Sequence, residues 1–381
     1  MKTIYFDYNA TTPLDSGARQ AMLPFLDEVF GNPSSAHHVG RRARAHLDEA
    51  RERVAKVWHC KPSEVVFSSG GTESNNLAVF GTARLLRDKG RHLITSSIEH
   101  HAVLNCFEYL EKHEGFHVTY LAADAEGLVS PDDLKKAIRP DTVLVSLMSA
   151  NNETGTLEPV AEFGEICRAH GVVFHTDALQ SFGKEPFTDI GQFNADMVSF
   201  CAHKLHGPKG AGALFIKSPL HPEPILLGGA HENERRAGTE NVPAIIGMAH
   251  AIEHFLTPPV FPEEQLRSLT AHLIGFLRSL EGVQYRGCVT RRLSNTVALT
   301  VSGCSGATLL AGLDLEGICA SSGSACAAGA LQSSHVMAAI GVEESLASSL
   351  VRFSLGRDST LEEVLTVEET LEKVIKQARN R

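Results

Sequence analysis

No run in the 381-residue sequence approaches the ~20 consecutive apolar residues that a membrane-spanning helix needs, so a membrane protein is not expected. Positive charge is short as well. Lys and Arg number 35 against 45 Asp and Glu, and this net charge of -10 argues against a broad nucleic-acid-binding face, though local basic patches stay open. The eight cysteines include no C-x-x-C pair and are scattered, which disfavours a zinc site and a disulfide framework; most read as small buried hydrophobes. Met1 to Asp7 form neither an apolar signal core nor an Arg-rich leader, so the expected location is cytoplasmic. A Walker A loop and a G-x-G-x-x-G fingerprint are both missing, which points away from ATP and NAD. No internal repeat or low-complexity tract stands out.

What is present is the balance of a soluble globular protein, 43% hydrophobic and 21% charged, in a chain long enough for one large and one smaller domain. Strand and helix patterns alternate through about Lys217, as in a parallel sheet wrapped by helices. Pro258-Pro259 reads as a hinge, and from Pro262 the pattern changes to helix, strand and helix. Thr360 and Glu363 make a capping box for a last helix, Ser130-Pro131 starts an earlier one, and Gly171 stops another.

Chemistry concentrates between Val172 and Gly210. Val172-Val173-Phe174 and Met197, Val198 and Phe200 are apolar runs of two buried parallel strands, one ending at Asp177 and the other running into His203-Lys204. Their carboxyl ends share the crevice where open α/β sheets bind ligands. A lysine amine can hold the aldehyde of pyridoxal phosphate, and a carboxylate can keep the pyridine nitrogen protonated so that the ring absorbs electrons. Either residue alone reads more simply as a surface lysine or a helix-capping aspartate; together they favour the cofactor.

Other segments carry weaker signals. Val65-Val66-Phe67 feeds Ser68-Ser69-Gly70-Gly71-Thr72-Glu73, a strand, small-residue turn and helix start of the kind that binds phosphate, although a glycine pair also serves a tight connection. His100, at the end of another strand, suits covering an aromatic cofactor or moving protons, and equally a helix start with no chemical role. Asn151 to Gly155 can donate to a ligand or form an ordinary turn. The Gly, Ala, Ser and Cys residues from Ala320 to Gly329 can bury little surface, so this stretch is expected to be mobile and Cys326 accessible. A mobile thiol suits a travelling nucleophile that has help with deprotonation; for an arbitrary cysteine, a small residue in a tight loop is the simpler reading.

Taken together, Asp7 to Pro13, Gly31 to Ser35, Ser69 to Asn76, Glu99-His100, Asn151 to Gly155, Asp177 to Gln180, His203 to Gly210, Arg236 to Asn241, Ser321 to Cys326 and Arg352 to Arg357 resemble the cysteine desulfurases, a branch of the class V aminotransferase-like enzymes. The Ser-Ser-Gly-Ser-Ala-Cys stretch is similar to the subgroup with a long catalytic loop. The resemblance implies an α/β chain of the fold-type I kind. A large domain over 15–257 would bind pyridoxal phosphate on a mostly parallel sheet, and a small α+β domain of 1–14 and 258–381 would carry the catalytic cysteine. It implies a homodimer acting on L-cysteine, with a sulfur acceptor or iron-sulfur scaffold as partner and neither nucleic acid, membrane nor metal.

By the same resemblance Lys204 would hold pyridoxal phosphate, Asp177 would pair with its pyridine nitrogen, Gln180 and Asn152 would contact its phenolate side, and His100 would stack on its ring and assist proton transfer. Gly71, Thr72 and His203 would bind phosphate, with Thr239 reaching in from the partner of the dimer. Arg352, with Asn152, would hold the substrate, and Cys326 would take the substrate sulfur as a persulfide, leaving alanine. Two positions depart from the family. Cys201 stands where a phosphate-binding serine is common, and its thiol is a poorer donor. The sequence stops soon after its last helix, without the extended tail that some members use to hold a scaffold. Competing readings are a selenocysteine lyase, a plain aminotransferase, against which the Cys326 stretch argues, and a non-catalytic scaffold of the same fold.

Overall fold

The computed structural model describes residues 3–323 and 333–379, so Cys326 lies outside the described residues. Strand β1 (Ile4–Tyr5) pairs in parallel with Ile318–Cys319. The central sheet follows as β2 (Val65–Ser68), β3 (His92–Ser96), β4 (His117–Leu121), β5 (Thr142–Ser146), β6 (Val173–Asp177), β7 (Met197–Cys201) and β8 (Gly212–Ile216), in the spatial order β2-β8-β7-β6-β5-β3-β4. Only β8 runs against its neighbours, antiparallel to both β7 and β2. The carboxyl ends of β2, β3, β5, β6 and β7 therefore open on the same edge. That edge is where the chemistry collects.

The apolar runs of these strands are buried because both faces of the sheet are covered. Side chains alternate between faces. Val145, Phe174, Val198 and Phe200 join one apolar cluster with Trp58 of the helix His38–Trp58 and Ile252 of the helix Val242–Phe255. Leu93, Leu144, Met197 and Leu214 join the other, against Phe107 and Leu110 of the helix His101–Glu114. Each fully buried Leu, Val or Phe side chain contributes roughly 1.5–3 kcal/mol.

A third cluster joins the first residues to the last third of the chain. Ile4, Phe6 and Tyr8 pack with Leu273, Val297, Leu299, Val351, Phe353 and Leu371. Here β9 (Val283–Arg286), β10 (Thr296–Val301) and β12 (Val351–Ser354) form an antiparallel sheet in the order β12-β10-β9, while Ile318–Cys319 is β11. Val351 and Phe353 point into this core, which by the two-residue period turns Arg352 the other way, toward the central sheet.

The local stop and start signals act as the sequence suggests. Gly171 ends the helix Val160–His170 in the left-handed conformation, with φ 68°. Ser130 Oγ accepts from the Asp133 amide at 3.3 Å. Thr360 and Glu363 cap reciprocally, through Thr360 N–H to Glu363 Oε2 at 3.1 Å and Glu363 N–H to Thr360 Oγ1 at 3.2 Å. One feature is not legible in the sequence: the helix from Gly71 widens into a π-helical turn over Leu77–Gly81 before it ends at Leu86.

Candidate active site

The carboxyl edge of the sheet borders a cleft, where open α/β sheets hold small molecules. From the expected set, Gly71, Thr72, His100, Asn152, Asp177, Gln180, His203, Lys204 and Arg352 line it, joined by Asn9, Asn75 and Gly323. Five different strand ends and β12 deliver them, which is why residues far apart in sequence converge.

Asp177 closes β6 and is only 6% exposed. Asn75 Nδ2 donates to its Oδ2 at 2.7 Å and the Leu179 amide to its Oδ1 at 3.0 Å. Donors on both oxygens fix the orientation of the carboxylate. Lys204 follows β7 by three residues, and its Nζ donates no hydrogen bond among the described residues. An amine without a partner, in a cleft shared with a fixed carboxylate, has the chemistry of a group kept for a ligand.

His100 caps the helix His101–Glu114, its Nδ1 accepting from the Ala102 amide at 3.1 Å. Burial, and after it the Lys204 charge, push its pKa down to about 4 against the pull of Asp177. The ring is therefore neutral near pH 7, and with Nδ1 accepting, its hydrogen sits on Nε2. His203 is likewise pushed down to about 4 by burial and then by Lys204 and Lys209, while its Nδ1 shares a hydrogen bond with Thr11 Oγ1 at 3.2 Å.

Gly70 holds φ 154°, and a Cβ on Gly71 would stand 1.9 Å from Leu179 Cδ2. Leu179 packing thus demands the glycine at 71, and Gly71 and Thr72, whose amides at a helix start have no intrahelical partner, both line the cleft.

Arg352, 1% exposed, donates from Nη1 to the carbonyls of Asn152 at 2.7 Å and Gly323 at 2.6 Å, and from Nη2 to Asp7 Oδ1 at 2.7 Å. Its Nε is buried with no partner among the described residues. A buried guanidinium N–H left over beside a cleft fits a carboxylate ligand.

Two expected residues that the structure describes are not part of this lining. Cys201 ends β7, 1% exposed, and burial pushes its thiol up to about 11. Thr239 lines a separate, smaller cleft with Ser68, Ser69, Arg236 and Glu240. Cys326 lies outside the described residues.

Sequence reasoning missed Asn9, Asn75 and Lys184. Asn75 is fully buried in the helix Gly71–Asn76, a costly place for an amide without a polar partner, and it finds one in Asp177. Among the described residues no group of three or more His, Cys, Asp or Glu is placed to hold a metal, and no helix is long and apolar enough to cross a membrane.

The donor set fits pyridoxal phosphate: an acid for a ring nitrogen, an unpartnered amine for an aldehyde, and helix-start amides for a phosphate. Comparison with known proteins identifies the family. A family model described as aminotransferase class-V matches residues 4–367. The chain is 46% identical over 382 residues to a cysteine desulfurase IscS of Dictyoglomus turgidum, covering 99% of this chain and 96% of that protein. It is 44% identical over 379 residues to one of Methanosarcina thermophila, covering 100% and 93%. Among solved structures it resembles a NifS-like protein with a TM-score of 0.88 at 36% identity, covering 99% of each chain. It also resembles SspA in complex with cysteine, with a TM-score of 0.81 at 38% identity, covering 94% of this chain and 100% of that one.

Proposed function

The chain belongs to the class-V aminotransferase family and is a cysteine desulfurase, and from that premise we propose how its residues divide the conversion of L-cysteine to L-alanine. The observation that carries the reading is the unpartnered Lys204 amine in one cleft with the doubly bonded Asp177 carboxylate and the buried, half-used Arg352 guanidinium.

Pyridoxal phosphate, when bound, supplies an aldehyde for amines and a ring that takes up electrons released at carbon. Lys204 Nζ would hold its aldehyde end, and Asp177 would keep a proton on its ring nitrogen. Gly71, Thr72 and His203 would bind the phosphate, with Cys201 and, from the second chain of a homodimer, Thr239 also contributing. Gln180 and Asn152 would contact the ring oxygen.

Arg352 Nε and the free edge of Nη2 bind the substrate carboxylate. Asp7 and the Asn152 carbonyl hold that guanidinium in place, so its orientation costs little when substrate arrives. His100 would lie against the ring and offer its Nε2 hydrogen to the reacting groups, while the Lys204 amine would carry protons to and from the substrate carbon. The Cys326 thiolate then attacks the substrate sulfur: an S–S bond forms and the C–S bond breaks. The electron pair stays with carbon, and a proton completes the alanine methyl.

The persulfide on Cys326 passes to an acceptor protein for iron-sulfur clusters or related products. Every described cysteine is a free thiol, which suits the reducing cytoplasm.

Purified protein incubated with L-cysteine and reductant is expected to release sulfide and alanine in step. A Cys326→Ser variant is expected to keep its yellow cofactor and release almost no sulfide; full release by that variant refutes the assigned sulfur step.

A further inference from the structure

Lys184 is fully buried, four residues beyond Gln180 on the segment that leaves β6. Its Nζ lies 5.4 Å from the Phe261 ring centre, and among the described residues no carboxylate pairs with it. Burial, followed by the nearby Lys204 and Arg352 charges, holds its pKa well below the ordinary lysine value. A buried lysine without a counter-charge is costly unless its donors are used.

Both contacts of Nζ are with amide oxygens: Asn9 Oδ1 at 2.6 Å and Gln180 Oε1 at 2.7 Å. An ammonium has donors only, and even the neutral amine keeps two N–H groups for two oxygens. The direction of both amides is thereby decided. With Oε1 turned to Lys184, Gln180 Nε2 turns the other way, giving one hydrogen to the Asn9 carbonyl at 3.1 Å and leaving the second for the cleft that Gln180 lines. With Oδ1 of Asn9 likewise occupied, its Nδ2 donates to Thr296 Oγ1 at 2.9 Å and to the Asn152 carbonyl at 3.3 Å. One amine thus orders Gln180 and, together with Asn295 Nδ2, which donates to Asn9 Oδ1 at 3.1 Å, also Asn9.

We propose that Lys184 is a positioning residue for the desulfurase reaction, fixing the Gln180 amide so that its N–H₂ group, not its oxygen, faces the ring oxygen of pyridoxal phosphate. Without Lys184 only the Asn9 carbonyl, accepting from Nε2, still holds the amide's direction, and an oxygen facing an oxygen repels where a donor attracts. The inference rests on the cofactor reading above.

The test compares wild type, Lys184→Met, Lys184→Gln, Gln180→Ala and the Lys184→Met/Gln180→Ala pair, titrating each apo-protein with pyridoxal phosphate and recording the visible band of the loaded protein. Lys184→Met is expected to weaken cofactor binding roughly 5- to 10-fold, about the worth of one good hydrogen bond, and to shift the band. Lys184→Gln, whose amide donates to Gln180 Oε1, is expected to bind within about 3-fold of wild type with the wild-type band. In the Gln180→Ala background, Lys184→Met is expected to have almost no further effect. An undiminished loss in that background overturns the proposal, since a structural role does not depend on residue 180. If Lys184→Met does not fold, Lys184→Gln decides alone, and a loss beyond about 3-fold overturns the assignment. Wild type that binds no pyridoxal phosphate sinks the functional reading together with this one, whereas normal wild-type binding with additive variants sinks this one only.

Discussion

Replacing Arg352 by lysine keeps the positive charge and removes the fork, which makes it a sharp probe of substrate recognition. The arginine donates to Asn152 O, Gly323 O and Asp7 Oδ1, and keeps Nε and one edge of Nη2 for a ligand. A lysine ammonium has three donors at one point; satisfying even the Asp7 carboxylate and one carbonyl leaves a single donor for the substrate. The variant therefore loses one charge-assisted hydrogen bond to the cysteine carboxylate and the planar match of the pair, together about 2–3 kcal/mol. This corresponds to a fall of roughly 30- to 150-fold in kcat/KM.

Because that contact is made to bound substrate and to the transition state alike, most of the loss is expected in KM. Sulfide release measured against L-cysteine concentration gives the split, and the visible band verifies that cofactor is still bound. Asp7 retains part of its solvent contact, with 19% of its side chain exposed, so loss of its partner does not strand a buried charge. A folded, yellow Arg352→Lys protein with KM within about 3-fold of wild type would refute the carboxylate role.

Stability is expected to fall as pH drops from 6.5 toward 4. His175 is fully buried, shares hydrogen bonds with Ser146 and Ser199 hydroxyls at 2.7 and 2.9 Å, and is pushed down from 6.5 to about 4 by burial against the pull of Asp177. In that window the unfolded chain binds the extra proton, so stability rises with pH, and His175 alone accounts for about 3 kcal/mol across it. Denaturant midpoints at pH 7 and 4.5 check this, and equal values contradict it. Asn75→Leu removes the 2.7 Å hydrogen bond to the Asp177 carboxylate and is expected to destabilise the apo-protein by about 2 kcal/mol, measured by calorimetry. Gly71→Ala forces Leu179 aside and is expected to cost about 1–3 kcal/mol in stability and to weaken cofactor binding. An unchanged melting temperature would show that Leu179 yields freely.

Much of this protein is legible in its sequence because the informative signals are local. Apolar runs buried on both sides mark the strands, glycine and capping residues mark helix ends, and Asp177 and Lys204 announce themselves by standing just beyond two such strands. Those features depend on backbone physics within a few residues, so they survive without knowledge of the partner strands. What tertiary structure alone decides is direction and company. That the β2 end opens on the same edge as the parallel β3, β5, β6 and β7 follows from β8 running antiparallel to both β2 and β7. That Arg352 reaches the cleft follows from β12 burying Val351 and Phe353 on its other side. Lys184 looks like any surface lysine in the one-dimensional pattern, and Asn9 like any turn residue. Only packing brings the two within 2.6 Å and turns Gln180 with them, because a hydrogen bond between residues 175 positions apart leaves no periodicity for a sequence to display.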